Sequence, residues 1–263
     1  MNKRVDKRAD KRADKRADKL YIVIPAYNEA ANISTVVDEW YGVLEEEGVS
    51  GESRLLVIDD GSRDETFEIL GRMKEKMPKL LTVTKPNSGH GATLLYGYQY
   101  ALDEGADYIF QTDSDGQTRP EEFGEFWRLR ADYDMVIGYR KKRQDGWPRI
   151  FVTKVLKLAI RICFGVTVTD ANTPFRLMEA EELKKQMKYI PEGFHLPNVL
   201  IAVIYEKKNM KTKYIPITFR PRQGGVNSIR LGKICRIGAK AFRDFIVINK
   251  WLENAKGGEC NEY

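Results

Sequence analysis

The sequence predicts an α/β protein with a mainly parallel central sheet flanked by helices. Three observations carry that prediction. Short apolar runs alternate with longer amphipathic stretches through residues 20–138. Each run closes on a polar segment rich in Gly, Asp, Asn or Pro. The chain, at 263 residues, is long enough for one large domain with a well-buried core. Repeated strand–helix units require crossover connections, and those make neighbouring strands parallel.

The elements follow in order. Leu20–Ile24 reads as a buried strand that Pro25 ends. Residues 32–47 read as a helix with Asn32 as its cap. Leu55–Ile58 is a second strand, closed by Asp59-Asp60-Gly61-Ser62. A helix starts at Asp64 and runs to about Met77. Leu80–Thr84 is a third strand and 91–104 a third helix. Tyr108–Gln111 is a fourth strand, 121–131 a fourth helix and Met135–Gly138 a fifth strand. The second half is less regular: helices over 148–164 and 193–207, a strand over Thr212–Phe219, and a long amphipathic C-terminal helix over 229–252. The expected organisation is a charged tail over 1–19, a catalytic domain over 20–228, and an amphipathic helix and tail over 229–263.

Charge excludes one function class. The formal net charge is +6, but residues 1–19 hold nine Lys/Arg and four Asp, which leaves the remainder at +1. That is too little for a general nucleic-acid binder. The tail repeats Asp-Lys-Arg-Ala over residues 6–18 and has no apolar face. It reads as a disordered or fraying segment, with a weak contact to anionic lipid as the alternative. No apolar run approaches the ~18–20 residues that span a bilayer, and the charged N-terminus carries no secretory signal. Cys163, Cys235 and Cys260 are widely spaced and form no metal-ligand pattern. A reducing cytoplasm fits them best.

In parallel α/β sheets, ligands sit at the carboxyl ends of the strands. The polar sequences of this chain cluster there. Asp113-Ser114-Asp115 follows the fourth strand. Two carboxylates one residue apart can share a divalent cation, and Mg²⁺ or Mn²⁺ takes oxygen ligands together with substrate phosphates. Gln117 can add a carbonyl oxygen. An Asp-x-Asp alone is a common solvated turn; its position after the fourth strand favours metal. Asp59-Asp60-Gly61-Ser62 reads equally as a turn with a helix cap or as a loop in which Asp accepts from a base N–H. Tyr27 can stack on a base, and Glu29 can meet a ribose or base. Asn87-Ser88-Gly89-His90-Gly91 opens a helix whose N-terminus favours anions. His90 reads as a structural residue.

In order and spacing these four segments resemble the donor-binding half of family 2 glycosyltransferases of the GT-A fold. The resemblance implies that Pro25, Tyr27, Glu29, Ile58, Asp60, Asp113 and Ser114 contact the nucleotide. It implies that Asp113, Asp115 and Gln117 hold Mg²⁺ or Mn²⁺. Farther on, Gly138-Tyr139-Arg140, Arg149, Thr153, Asp170, Phe175-Arg176-Leu177 and Arg222 through Ser228 look like the polyprenyl-phosphate branch, the relatives of dolichyl-phosphate mannose synthase. That implies an acceptor-phosphate site of Arg140, Arg149, Thr153, Arg222 and Ser228, with Asp113, Asp115, Arg140 and Arg222 in the catalytic machinery. Two departures stand out: Pro174 replaces the usual Gly before Phe, and Phe194–Asn198 lacks the acidic residue often found there.

The expected reaction is an inverting, metal-dependent transfer of one sugar from a UDP- or GDP-sugar to a polyprenyl phosphate. A monoalkyl phosphate has a second pKa near ~6 and needs positioning more than deprotonation. Clustered guanidinium groups supply that. No Gln-x-x-Arg-Trp processivity signature is present. The alternative is a non-processive family 2 enzyme acting on a hydroxyl of a soluble or polymer glycan, for which Asp170 is the candidate base. A catalytically silent membrane-surface module and a nucleotidyltransferase fit less well. A lipid acceptor places the protein at the inner, cytoplasmic face of the membrane as a peripheral protein. Lys154, Lys157 and Arg161 beside Phe151, Val155, Leu158 and Ile162 form one basic amphipathic stretch. Arg230, Lys233, Arg236, Lys240 and Arg243 beside Leu231, Ile234, Phe242, Phe245 and Ile248 form another. Such helices lie in a membrane interface or pack on a core with a solvated basic face.

Overall fold

A computed structural model describes residues 17–46, 49–140, 147–191, 193–220 and 231–254; for 147–152, 231–241 and 254 it describes the backbone alone. The strands are β1 (Leu20–Ala26), β2 (Arg54–Asp59), β3 (Leu80–Thr84), β4 (Tyr108–Gln111), β5 (Met135–Arg140), β6 (Arg176–Glu179) and β7 (Thr212–Ile217). The helices are α1 (Ile33–Tyr41), α2 (Thr66–Lys74), α3 (His90–Asp103), α4 (Phe123–Leu129), α5 (Trp147–Phe164), α6 (Ala180–Met187), α7 (Pro197–Lys207) and α8 (Leu231–Asn254). Short 3₁₀ turns at Gly42–Glu45 and Pro120–Glu122 follow α1 and precede α4.

The strands form one sheet in the order β3-β2-β1-β4-β6-β5-β7. All pairings are parallel except those of β6, which runs antiparallel to both β4 and β5. The expected mainly parallel sheet is therefore present, with β6 as an element the sequence reading missed.

β1 shows why the centre is stable. All seven of its residues are buried. Tyr21 and Val23 face one core with Leu94, Tyr98 and α7, while Leu20, Ile22, Ile24 and Ala26 face the other with Val36, Val37 and Trp40. A strand covered on both faces reads as a continuous apolar run. In the second core, Phe110 packs edge-on against Phe123 and Phe175 at centroid distances of 5.0 and 4.8 Å.

β1 runs through Pro25 instead of ending before it. Val23 O accepts from Thr112 N, and Ala26 O from Asp60 N. Alternate residues of a strand turn their amides to opposite neighbours, so position 25 faces the β4 side. The β4 register ends at Val23↔Gln111. The missing N–H of proline therefore removes no ladder bond.

Helices α5 and α8 pack against each other, with ring contact between Phe164 and Phe245 at 5.2 Å. Phe245, Ile248 and Leu252 of α8 enter the same core as β1 and α7.

Candidate active site

The candidate site lies at the carboxyl ends of β1, β2 and β4, where three loops meet. The first two are stitched together. Asn28 N donates to Ser62 Oγ at 2.9 Å, Glu29 N to Thr66 Oγ1 at 2.8 Å and Arg63 N to Asn28 Oδ1 at 2.8 Å. Asn28 adopts a left-handed φ of 54°, which Asn tolerates better than most residues. The turn leaves Tyr27 42% exposed at the rim. Glu29 also accepts from Asn32 Nδ2 at 3.0 Å; Asn32 starts α1 without making a side-chain cap bond.

Asp60 is held on all sides by the protein. Its Oδ1 accepts from Lys85 Nζ and from Ser88 N at 3.0 Å, and its Oδ2 accepts from Gly89 N at 2.8 Å. Burial pushes its carboxyl up, but the Lys85 ammonium, the Ser88 and Gly89 amides and the Thr93 hydroxyl outweigh it and hold the group below the usual carboxylate range. Gly61 permits this closure. It has a φ of 69°, and a Cβ there would lie 3.0 Å from Asn87 N. Asp59 is likewise occupied by Thr84 Oγ1 at 2.7 Å. Ile58 offers no exposed surface, and its side chain packs toward Gly97 in the core. Ile58, expected to contact the nucleotide, thus directs its side chain into the core behind the loop. Pro25 is also buried.

Asp113 is different. Its side chain is 29% exposed, yet Oδ1 is buried and makes no hydrogen bond. Burial pushes its carboxyl above the usual range; Asp115 adds to the rise, and the charges of His90, Arg140 and Arg176 oppose it. Asp115 is half-buried and accepts from Gln117 N at 3.1 Å. Ser114 between them is buried. The loop is pinned below by Thr112 Oγ1 against Thr118 Oγ1 at 2.7 Å.

The donor set fits a hard divalent cation: two carboxylates, one with an orphaned buried oxygen, and a neighbouring amide. Among the described residues no group of three or more His, Cys, Asp or Glu is placed to hold a metal. An ion bound to this pair therefore leaves coordination positions for phosphate oxygens and water.

His90 is no core histidine. It is 55% exposed at the start of α3, with Nε2 3.9 Å from Asp113 Oδ1. Beside it, Gly91 gives the Phe194–Pro197 loop its seat, since a Cβ there would lie 2.7 Å from Phe194 O. On the far side, Arg140 stacks its guanidinium on Phe219 at 3.8 Å. Arg149 is placed only by the backbone of α5, and Thr153 is half-buried one turn on. Arg222 and Ser228 lie outside the described residues. Asp170 is buried at 7% exposure.

Sequence reasoning missed Lys85 and gave Arg176 no role of its own. Lys85 follows β3 directly, and a lysine at a strand's carboxyl end was the available signal. Arg176 is fully buried and donates to the main-chain carbonyls Thr173 O, Ala171 O and Asn198 O. Burial lowers its pKa from the ordinary arginine value. A groove of about 800 Å³ between α4 and β7, lined by Glu122, Trp127 and Ile217 among others, contains none of the candidate site residues.

Each proposed interface helix has two apolar faces. α5 buries Ile160 and Phe164 but exposes Val155, Leu158 and Ile162 beside Lys154, Lys157 and Arg161. α8 buries Phe245 and Ile248 but exposes Phe242, Ile246 and Val247 beside Arg243. Core packing and an outward apolar row coexist on the same helices. Among the described residues no helix is long and apolar enough to cross a membrane.

Known proteins share this architecture and sequence. The profile of Glycosyl transferase family 2 matches residues 21–224. A polyprenol monophosphomannose synthase of Mycolicibacterium smegmatis is 25% identical over 217 residues, covering 79% of this chain and 80% of the relative. An undecaprenyl-phosphate 4-deoxy-4-formamido-L-arabinose transferase of Pseudomonas syringae is 30% identical over 158 residues. That match covers 59% of this chain and 45% of the relative, so the chain spans less than half the length of that protein. Among solved structures, glucosyl-3-phosphoglycerate synthase from Mycobacterium tuberculosis in complex with Mn²⁺, uridine diphosphate and glucosyl-3-phosphoglycerate superposes with a TM-score of 0.65 at 16% identity. It covers 95% of this chain and 86% of that one. Mannosyl-3-phosphoglycerate synthase from Rubrobacter xylanophilus gives 0.63 at 14% identity, covering 98% and 80%. The fold is the expected GT-A fold.

Proposed function

The chain belongs to glycosyl transferase family 2, and on that premise we propose that it transfers one sugar from a UDP- or GDP-sugar to a polyprenyl phosphate at the membrane surface. One observation carries the reading. The open carboxylate pair Asp113/Asp115 shares its site with the Arg140 guanidinium, whose charge acts on Asp113, while Asp170, the carboxylate considered as a base, is buried. A site built this way favours an acceptor that arrives ionised over one that must be deprotonated.

In this reading Asp113, Asp115 and Gln117 hold Mg²⁺ or Mn²⁺, and the ion supplies Lewis-acid neutralisation of the donor diphosphate. Tyr27 stacks on the base. Glu29 and the Asp60 loop shape the nucleoside pocket, with Asp60 acting as a brace and not as a free acceptor. Arg140 draws in the acceptor phosphate together with Arg149, Thr153, Arg222 and Ser228. An acceptor oxygen attacks the anomeric carbon in line, the bond to the diphosphate breaks, and the nucleoside diphosphate leaves with the electron pair. One displacement inverts the anomeric centre. The exposed rows on α5 and α8 rest on anionic lipid at the inner face, their apolar side chains entering the interface and their lysines and arginines meeting headgroups.

The test incubates the chain with Mn²⁺ or Mg²⁺, a panel of UDP- and GDP-sugars, and either a polyprenyl phosphate in vesicles or 3-phosphoglycerate. Mass spectrometry should find a sugar–phosphate–lipid. Product on phosphoglycerate alone would overturn the lipid acceptor, and its linkage, to the phosphate or to the hydroxyl, would decide whether a phosphate is the accepting group. Flotation with anionic vesicles should weaken when Leu158 and Ile162 become Ser; unchanged flotation would show that the outward row of α5 does not hold the protein on the membrane.

A further inference from the structure

Just past the end of β7, three consecutive side chains are fastened to the body of the protein. Thr218 donates through N and Oγ1 to Glu122 Oε1 at 3.0 and 2.7 Å. Phe219 lies under Arg140. Arg220 makes the widest set of links. Its Nη1 donates to Glu39 Oε1 on α1 at 2.6 Å, and its Nη2 to Glu121 Oε1 before α4 at 3.3 Å. Its main chain is tied to Gln117 in both directions: Arg220 N donates to Gln117 O at 2.8 Å, and Gln117 Nε2 donates to Arg220 O at 3.4 Å.

Those bonds lead to the carboxylate loop. Gln117 N is the donor to Asp115 Oδ1. With Nε2 committed to Arg220, the Oε1 of Gln117 makes no hydrogen bond among the described residues and is left as an oxygen ligand. An isolated surface ion pair contributes little to stability. Here one guanidinium bridges two elements, and the backbone it fixes is the backbone that holds Gln117.

We propose that Arg220 is a positioning residue for the metal loop: by clamping its own main chain between Glu39 and Glu121, it sets the Gln117 amide and the Asp115 carboxylate for a divalent cation. The inference rests on the reading of Asp113, Asp115 and Gln117 as cation ligands. It assigns Arg220 no contact with substrate. A supporting contact of this kind acts on affinity for the ion, because it lowers the cost of ordering the ligands before the ion arrives.

The experiment titrates Mn²⁺ alone into the full chain, following free Mn²⁺ by electron paramagnetic resonance and heat by calorimetry. Arg220→Gln should weaken Mn²⁺ binding about tenfold, the low end for loss of a supporting contact around a metal. Arg220→Lys should recover part of it, since an ammonium can reach one carboxylate but not fork between two. Arg130→Gln, which cuts the 2.7 Å pair with Asp18 away from this loop, should leave Mn²⁺ binding unchanged. Thermal melting checks each fold. Should Arg220→Gln fail to fold, Glu39→Gln removes the same strut from its other end and must weaken Mn²⁺ in the same direction. A folded Arg220→Gln that binds Mn²⁺ like the wild type overturns the inference alone. A wild-type chain that binds no Mn²⁺ overturns the metal reading and the inference with it.

Discussion

The chain carries two acidic loops on either side of β1, and they do opposite things. At the end of β2, Asp60 is saturated: a lysine and two main-chain amides meet its oxygens. At the end of β4, Asp113 keeps one buried oxygen with no hydrogen bond. The first carboxyl is held below its ordinary range and the second pushed above it. Residue type is the same, and so is the place in the sheet. What differs is the supply of donors, and that supply decides which loop is finished by the protein and which is left for a ligand.

The largest effect should come from the open loop. Asp115→Ala is expected to lower metal-dependent transfer by about 10³-fold, with thermal melting unchanged. Retained activity would take Asp115 out of the mechanism and dissolve the contrast. Next comes the closed loop. Asp60→Ala strands the Lys85 ammonium and two amides, and should cost about 3 kcal/mol in urea unfolding. The pH dependence has a defined sign. Asp60 is lowered in the folded state, so its contribution is complete above the ordinary carboxylate range near ~4 and fades as pH falls through the folded value. The stability gap between wild type and variant should therefore narrow on the acid side. A gap independent of pH would show that packing, and not charge, holds the loop.

A smaller change tests the seat between the two loops. Gly91→Ala places a Cβ against the carbonyls of Phe194 and His195, and should cost about 1–3 kcal/mol by chemical denaturation. The smallest effect sharpens the comparison most. Asp113→Asn removes a buried charge without a hydrogen-bond partner at Oδ1 and should raise the melting temperature by about 2–4 °C. Saturating Mn²⁺ should stabilise the wild type and not this variant. A variant that melts lower would mean Asp113 is structurally satisfied after all.

Much of this was legible in the sequence, and the failures have physical causes. β3 and β4 appear at Leu80–Thr84 and Tyr108–Gln111 as read, because each is a short apolar run bounded by polar turns. The helix expected from Asp64 to Met77 is shorter, at Thr66–Lys74. Asp64 instead turns its carboxylate to Ala30 N and Thr66 N. β6 was invisible because its four residues begin with Arg and end with Glu. Only the fold shows that the arginine is sealed inside by three carbonyls. α6 was missed for a related reason: Glu181, Glu182, Lys184 and Lys185 leave few apolar positions to set a period. The Asp-x-Asp loop could be picked out from its position after the fourth strand. That Asp60 is closed could not, since Lys85, Ser88 and Gly89 reach it only through the parallel pairing of β2 with β3.

Pro25 has a consequence for the sheet as a whole. From β1 the chain moves outward to β2 and β3, then jumps back across to β4. That reversal is the topological switch point, where an open sheet parts and a ligand can lodge. A proline cannot donate, so position 25 gives the β4 side no N–H, and the register with β4 ends at Val23. The finished loop and the open one thus part beyond a main-chain position that holds no donor for the neighbouring strand.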